Sequence, residues 1–244
     1  MWGEILRRLL EILFAILLLI LLFPFFLMAV IVVQIDSPGP IIFRQVRIGK
    51  GGRKFTLYKL RTMKKGANGS FPPHTQVNDP RFSPVCRFIR ATCIDEVPQL
   101  WNILKGDMSF VGPRPELPKI VKTYDEEQKN VLKFEPGLFG ISQLVLREGV
   151  DYRKKLIIEN AYYPHRTLLK DFTITFLTPF VIVDNALGKI LGHNGKKTAY
   201  TNTSWFRFII RHNGDKSISE VIEKVVGEEE VTHTATSADS ANRG

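Results

Sequence analysis

The sequence predicts an α+β chain that is mainly helical, with a kinked re-entrant membrane helix at its N-terminus, a small β-hairpin and helices lying on the membrane surface. Three observations carry that prediction. Residues 12–33 are 22 residues without a charge, against roughly 20 needed to cross a bilayer. Residues 41–48 and 53–62 hold β-branched and aromatic side chains on either side of Gly49-Lys50-Gly51-Gly52, the pattern of a hairpin. Beyond residue 80, apolar positions recur at helical spacing between proline and glycine stops.

The uncharged run is too long for the apolar part of a signal peptide, and no small-x-small cleavage pattern follows it. Pro24 sits within it, deletes the helical hydrogen bond to the carbonyl of Ile20 and bends the chain. Arg7 and Arg8 precede the run, while Arg44, Arg47, Lys50, Arg53 and Lys54 follow it. Cations at both ends agree with the positive-inside rule only if both ends are cytoplasmic, which favours a hairpin dipping into one leaflet. A bent helix that spans the bilayer is the alternative, because Phe23-Pro24 offers no hydroxyl to satisfy the freed carbonyls in lipid.

Ser37-Pro38-Gly39-Pro40 turns the chain out of the membrane element. From Arg44 to Lys65 there are nine Lys or Arg and no acid, which accounts for nearly all of the net charge of +10. Next to an apolar run, such a stretch suits anionic lipid headgroups and lipid-linked phosphates better than nucleic acid. Residues 66–84 are rich in Gly, Pro, Asn and Ser and read as a loop. Cys86 and Cys93 have no histidine at ligand spacing, so neither zinc nor a disulfide is indicated. The five histidines are scattered and read as surface or loop residues.

The most informative stretch is 91–115. A helix is predicted to begin at Asp95 or Glu96, with Pro98 in its first turn, Gly106 as its stop and Leu100, Trp101 and Leu104 on its apolar face. The Asp95 carboxylate would then lie at the positive end of a helix, a place that favours a carboxylate nucleophile and attracts phosphate. An Asp-Glu pair at a helix start is more often a cap. Here Arg90 lies upstream, and Gly112-Pro113-Arg114-Pro115 holds a guanidinium on a stiff turn whose planar fork suits phosphate.

Thr92-x-x-Asp95-Glu96-x-Pro98-Gln99-Leu100-x-Asn102-x-Leu104-x-Gly106-Asp107-Met108-Ser109-x-Val111-Gly112-Pro113-Arg114-Pro115 closely resembles the core of the bacterial sugar transferases, monotopic polyprenyl-phosphate phosphoglycosyl transferases. Phe43-x-Gln45, Tyr58-Lys59-x-Arg61-x-Met63, Asp79-Pro80-Arg81, Tyr124 to Gln128 and Pro136-Gly137-x-x-Gly140-x-x-Gln143 extend the resemblance. Three positions depart from the pattern: Glu135 where a base is usual, Phe139 for a Thr, and Asn160 for an Asp before Tyr162, Tyr163 and Asp171.

The resemblance implies transfer of a sugar phosphate from a UDP-sugar to a polyprenyl phosphate with Mg²⁺, at the cytoplasmic face of a bacterial inner membrane. It implies Asp95 as nucleophile, Glu96 as its catalytic partner and metal ligand, and Arg90, Arg114, Lys59 and Arg61 as phosphate-binding residues. Pro113, Pro115 and Gln143 are implied in the nucleotide-sugar pocket, and Pro24 at the helix break. The organisation expected is an anchor over 1–36, a catalytic domain over 37–191, a C-terminal extension over 192–227 and a disordered tail over 228–244. Within these, 116–133 reads as one helix, 171–191 as an interfacial helix interrupted at Pro179, 204–211 as an amphipathic segment and 218–226 as a short helix. A membrane phosphatase that lets water attack an Asp95 intermediate is one rival. A basic membrane scaffold is the other; it leaves Asp95-Glu96 and Gly112-Pro-Arg-Pro without a purpose.

Overall fold

The computed structural model describes residues 2–63, 80–146 and 152–190, and single helical positions between 209 and 225. Residues 66–79 of the loop expected over 66–84 lie outside the described residues, as do most of 192–217, including the amphipathic segment apart from Ile209, and the tail over 228–244.

Helix α1, Trp2–Asp36, runs as one element through Pro24. The break expected at that proline is absent. A proline costs a helix one hydrogen bond, and here both halves are held by packing. Phe14, Ala15, Leu18, Leu19 and Leu22 join the main core; Ala29 and Val33 are buried with Leu60, Phe82, Cys86 and Ile89. Polar contacts fix the two ends as well. Arg8 donates to the carbonyls of Ile103 at 2.6 Å and Leu104 at 3.1 Å, Ser109 Oγ donates to Glu11, and Arg61 donates to the backbone and hydroxyl of Ser37 beyond the last turn. The opposite face carries Leu13, Leu17, Ile20, Leu21, Phe23 and Met28, all exposed. Among the described residues α1 alone is long and apolar enough to cross a membrane.

The hairpin forms as expected: β1, Ile42–Ile48, pairs antiparallel with β2, Lys54–Leu60, in a register that runs from Ile42 against Leu60 to Ile48 against Lys54. Gly51 and Gly52 close it at φ 65° and 76°, the left-handed region that side chains resist. After α2, Pro84–Ala91, a 3₁₀ turn over Ile94–Glu96 leads into α3, Gln99–Lys105. The predicted helix therefore starts three or four residues late, with Asp95 and Glu96 in the turn before it. Leu100 and Ile103 fill the core, whereas Trp101 is 55% exposed and does not belong to the apolar face.

A second sheet was not anticipated. β3, Ser109–Val111, runs parallel to β4, Gly137–Phe139, with Ser109 opposite Gly137 and Val111 opposite Phe139. Strands of three residues are too short to show a period. Their ends cross where Gly112 meets the 135–137 backbone so closely that a Cβ on Gly112 would lie 2.1 Å from the carbonyl of Glu135.

The single helix expected over 116–133 divides into α4, Pro118–Val121, and a 3₁₀ turn over Gln128–Lys133. Reciprocal bonds explain the division: Gln128 N–H donates to Asp125 Oδ1 at 2.8 Å and Asp125 N–H to Gln128 Oε1 at 3.2 Å, which starts a new turn. Helices α5, Ile141–Val145, α6, Tyr152–Tyr162, and α7, Leu168–Ile190, complete the described fold. The α7 helix continues through Pro179. Ile209, Ile218, Ile222 and Val225 belong to the same core as α3, α5 and α6.

Candidate active site

The site is assembled where α2 ends. Its last turn is closed by Cys93 at φ 56°, a left-handed conformation that costs a side-chain-bearing residue about 1–2 kcal/mol. That reversal redirects the chain and delivers Asp95 and Glu96 from the following turn. Asp95 is 2% exposed. Two cations bracket its Oδ2, Lys59 Nζ at 3.8 Å and Arg90 at 3.8 Å. Glu96 takes closer partners: its Oε1 accepts from Lys59 Nζ at 2.5 Å and from Arg114 at 2.9 Å.

The two adjacent carboxylates therefore differ electrostatically. Burial pushes the Asp95 carboxyl above the ordinary range; Lys59 counters this and the negative charge of Glu96 adds to it. Burial also raises Glu96, but Arg114 and Lys59 outweigh it and hold Glu96 well below the usual carboxylate range. The same pairing holds Arg114 above its ordinary value. Burial pushes the Cys93 thiol up to about 12, so it stays neutral. One carboxyl is basic and weakly paired, the other a permanently charged anchor for cations.

Arg114 is held from behind. The carbonyl of Pro113 accepts from Gly137 N–H at 2.9 Å, and that of Pro115 from Arg47 at 3.0 Å. Ile48 N–H donates to the carbonyl of Glu116. Strand β1 and the start of β4 thus clamp the Pro-Arg-Pro turn, and the guanidinium reaches forward to Glu96. Arg90 lies with its guanidinium carbon 4.5 Å from the Phe82 ring centroid, a cation–π seat that steadies it beside Asp95.

The structure brings together Lys59, Arg90, Asp95, Glu96 and Arg114. Arg61 is not brought there: it donates to the carbonyl of Pro40 at 2.7 Å and to Ser37, tying the end of α1 to the entry of β1. Gln143 accepts from Gly140 N–H at 2.7 Å and caps α5, and Pro113 and Pro115 are buried supports of the turn. Glu135, where the pattern has a base, is clasped by Arg7 at 3.2 Å and Lys50 at 2.7 Å.

Two residues that sequence reasoning left without a role prove central. Asn102 is fully buried; its Nδ2 donates to the Thr56 carbonyl at 2.7 Å and Asp107 at 3.2 Å, while its Oδ1 accepts from Tyr58 N–H at 3.2 Å. It ties β2 to α3, and so places Lys59 next to the acids. Glu159 is 3% exposed and accepts from Ser142 Oγ at 2.6 Å behind the Arg114 turn. The only advance signal was a polar residue falling on the buried face of a helix.

Residues 2–185 match the family model described as bacterial sugar transferase. The chain belongs to the bacterial sugar transferase family. It is an enzyme, and its relatives agree. It is 37% identical over 190 residues, 74% of this chain and 71% of the relative, to the UDP-glucose:undecaprenyl-phosphate glucose-1-phosphate transferase of Caulobacter vibrioides. It is 37% identical over 176 residues, 71% of this chain and 85% of the relative, to the uncharacterized sugar transferase EpsL of Bacillus subtilis. It is 34% identical over 196 residues to the undecaprenyl-phosphate galactose phosphotransferase of Salmonella typhimurium, covering 74% of this chain and 41% of that one. The two relatives named for undecaprenyl phosphate each align with 74% of this sugar transferase.

Proposed function

We propose that this sugar transferase moves a sugar phosphate from a UDP-sugar to a polyprenyl phosphate, through a covalent phosphosugar on Asp95, at the cytoplasmic face of a bacterial inner membrane. The observation that carries the reading is the division between the two acids. Asp95 is buried and basic, bracketed at 3.8 Å by Lys59 and Arg90, while Glu96 gathers Lys59 and Arg114 at 2.5 and 2.9 Å. A nucleophile needs an available electron pair, and an incoming diphosphate needs concentrated positive charge.

In the first step an Asp95 carboxylate oxygen attacks the sugar-linked phosphorus of the donor. The new carboxyl–phosphorus bond forms as the phosphorus–oxygen bond to UMP breaks, and UMP leaves with that electron pair. In the second, an oxygen of the polyprenyl phosphate attacks the same phosphorus and returns the pair to Asp95, giving a lipid diphosphosugar. Lys59, Arg90 and Arg114 surround the charge that builds on the transferring group. Glu96, held ionised beside Asp95, would hold Mg²⁺ through its carboxylate oxygens, the hard donors that suit that ion. When bound, that ion supplies further neutralisation of the diphosphate.

The membrane placement rests on α1. At about 1.5 Å per residue the helix is some 50 Å long, yet Arg8 near its start and Ser37 just beyond its end both bind one folded domain. A helix standing across a bilayer would drag that domain into the hydrocarbon. A helix lying at or dipping into one leaflet, with Leu13, Ile20, Phe23 and Met28 in lipid, keeps both ends on one side.

The test is UMP release from UDP-glucose, UDP-galactose and their N-acetylated counterparts with Mg²⁺, first without lipid and then with undecaprenyl phosphate. A single-turnover burst without lipid, a sugar-phosphate mass on the Asp95 peptide and ping-pong kinetics are expected. Intersecting double-reciprocal lines with no adduct would overturn the covalent step and make the lipid phosphate the direct attacker.

A further inference from the structure

The helical run that carries the two acids also carries a buried amide. Gln99, the first residue of α3, is 1% exposed, and its Nε2 has no hydrogen-bond partner among the described residues. A buried amide N–H₂ left unpaired is costly, and native chains pair nearly all such groups.

The helix fixes where this amide lies. Val97 and Pro98 have helical φ and ψ; Leu100 N–H donates to the carbonyl of Val97 at 3.0 Å and Trp101 N–H to that of Pro98 at 3.2 Å. The 3₁₀ turn over Ile94–Glu96 therefore runs into α3 without a break. Residues three and four apart on such a run share a face, and a long side chain folds back over the preceding turn. Gln99 thus leans toward Glu96 and Asp95, three and four positions before it. That face is turned to β2. Beyond Gln99, Asn102 donates to the Thr56 carbonyl at 2.7 Å and accepts from Tyr58 N–H at 3.2 Å; before it, Glu96 accepts from Lys59 Nζ at 2.5 Å. The amide is bracketed by these contacts, on the side from which Lys59 approaches the acids.

We propose that Gln99 is a further catalytic residue, whose amide donates to a non-bridging oxygen of the phosphoryl group as that group passes to and from Asp95. This rests on the reading of Asp95 as nucleophile. Neither acid accepts from Gln99: Glu96 Oε1 is taken by Lys59 and Arg114, and Asp95 Oδ2 is bracketed by Lys59 and Arg90. An amide kept to orient Asp95 would already bond to it, whereas one kept for the transferred group meets its acceptor when phosphorus is bonded to Asp95. Charge accounts for the choice of an amide. Lys59, Arg90 and Arg114 already face the acids, and a fourth cation would hold back the electron pair that Asp95 must give; a neutral donor stabilises the phosphoryl oxygens and leaves the nucleophile basic. Gln99 gives up no proton in either step. The bonds made and broken are those of the two displacements at phosphorus, with UMP and then Asp95 leaving with the electron pair.

The experiment compares wild type with Gln99→Leu, which keeps the volume and removes the donor, and Gln99→Glu, which keeps the shape and replaces the donors with acceptors. Each is measured for the single-turnover UMP burst without lipid, with Mg²⁺ and whichever of the four UDP-sugars is turned over, for UMP affinity and for Tm. Gln99→Leu should slow the burst about 100-fold, a loss typical of removing one transition-state donor, with little change in the UDP-sugar concentration that gives half the maximal rate. UMP affinity should be unchanged, because UMP lacks the transferred phosphoryl group. Tm should equal or exceed that of wild type, because an unpaired buried donor is gone. Gln99→Glu should slow the burst at least as much, and decides the matter should Gln99→Leu not fold. A burst at the wild-type rate in either folded variant, or a slower burst matched by an equal loss of UMP affinity or by a lower Tm in Gln99→Leu, would overturn the catalytic role and make Gln99 a structural residue between α3 and β2. Wild-type enzyme that gives neither burst nor adduct on the Asp95 peptide would instead overturn the covalent reading, and this role with it.

Discussion

Replacing Asn102 with Ala tests how the site is held together. Asn102 is fully buried and makes three side-chain hydrogen bonds, two of them to the β2 backbone at Thr56 and Tyr58. Among the described residues β2 has only β1 as a strand partner, so those two backbone groups face α3 and depend on Asn102. Stranding a buried donor or acceptor costs about 1–3 kcal/mol; Thr56 and Tyr58 are half-buried, which places the two together near the lower end, about 2–4 kcal/mol. For a domain of this size that is a fall in Tm of roughly 6–12 °C, read by thermal unfolding of the detergent-solubilised protein with and without UDP. Activity should fall further than stability alone explains, because Lys59 follows Tyr58 directly and loses its seat against Glu96 and Asp95. Asn102→Asp should be at least as harmful, since a carboxylate would face the Thr56 carbonyl and the Asp107 carboxylate where the amide now donates. A Tm within 2 °C of wild type in the Ala variant would refute the claim that Asn102 joins β2 to α3.

Arg114→Lys should cut kcat/KM on the order of 100-fold with little change in Tm, because a point charge cannot hold Glu96 and a phosphate together; wild-type activity would make Arg114 a structural residue. Asp95→Asn should abolish the UMP burst yet raise Tm at pH 7: the folded Asp95 carboxyl is raised above the unfolded one, so stability falls as pH climbs through that window and Asn removes the cost. A lower Tm at pH 7 would mean that Asp95 is a structural cap. Ile5→Cys and Pro38→Cys should both be labelled from the cytoplasmic side of sealed vesicles, and labelling from opposite sides would mean that α1 spans the bilayer.

Much of this protein is legible in residue order because the signals are local. A run of 22 uncharged residues over 12–33 needs no partner to announce an apolar helix, and Gly51-Gly52 between two strand patterns dictates a hairpin whatever surrounds it. Asp95-Glu96, Arg90 and Gly112-Pro-Arg-Pro were recognisable for the same reason: acids, a stiff turn and cations within 25 residues suggest phosphate chemistry before any fold is known. Lys59 joined them only through the resemblance.

What the tertiary structure alone decided depends on contacts between residues far apart in the chain. Arg61 and Lys59 look alike in sequence, but β2 carries them to different places, Lys59 to Glu96 and Arg61 to Ser37 and Pro40 at the end of α1. Pro24 signals a break, but packing on either side of it keeps α1 whole. The parallel pairing of Ser109–Val111 with Gly137–Phe139 joins segments almost 30 residues apart through strands too short to show a period. Asn102 and Glu159 gave no sign of their roles, because a buried amide or carboxyl takes its meaning from the backbone groups packed against it. Local patterns set which chemistry the chain carries; long-range packing set which side chains perform it, since only the folded core brings β2, α2 and the Arg114 turn around one pair of carboxylates.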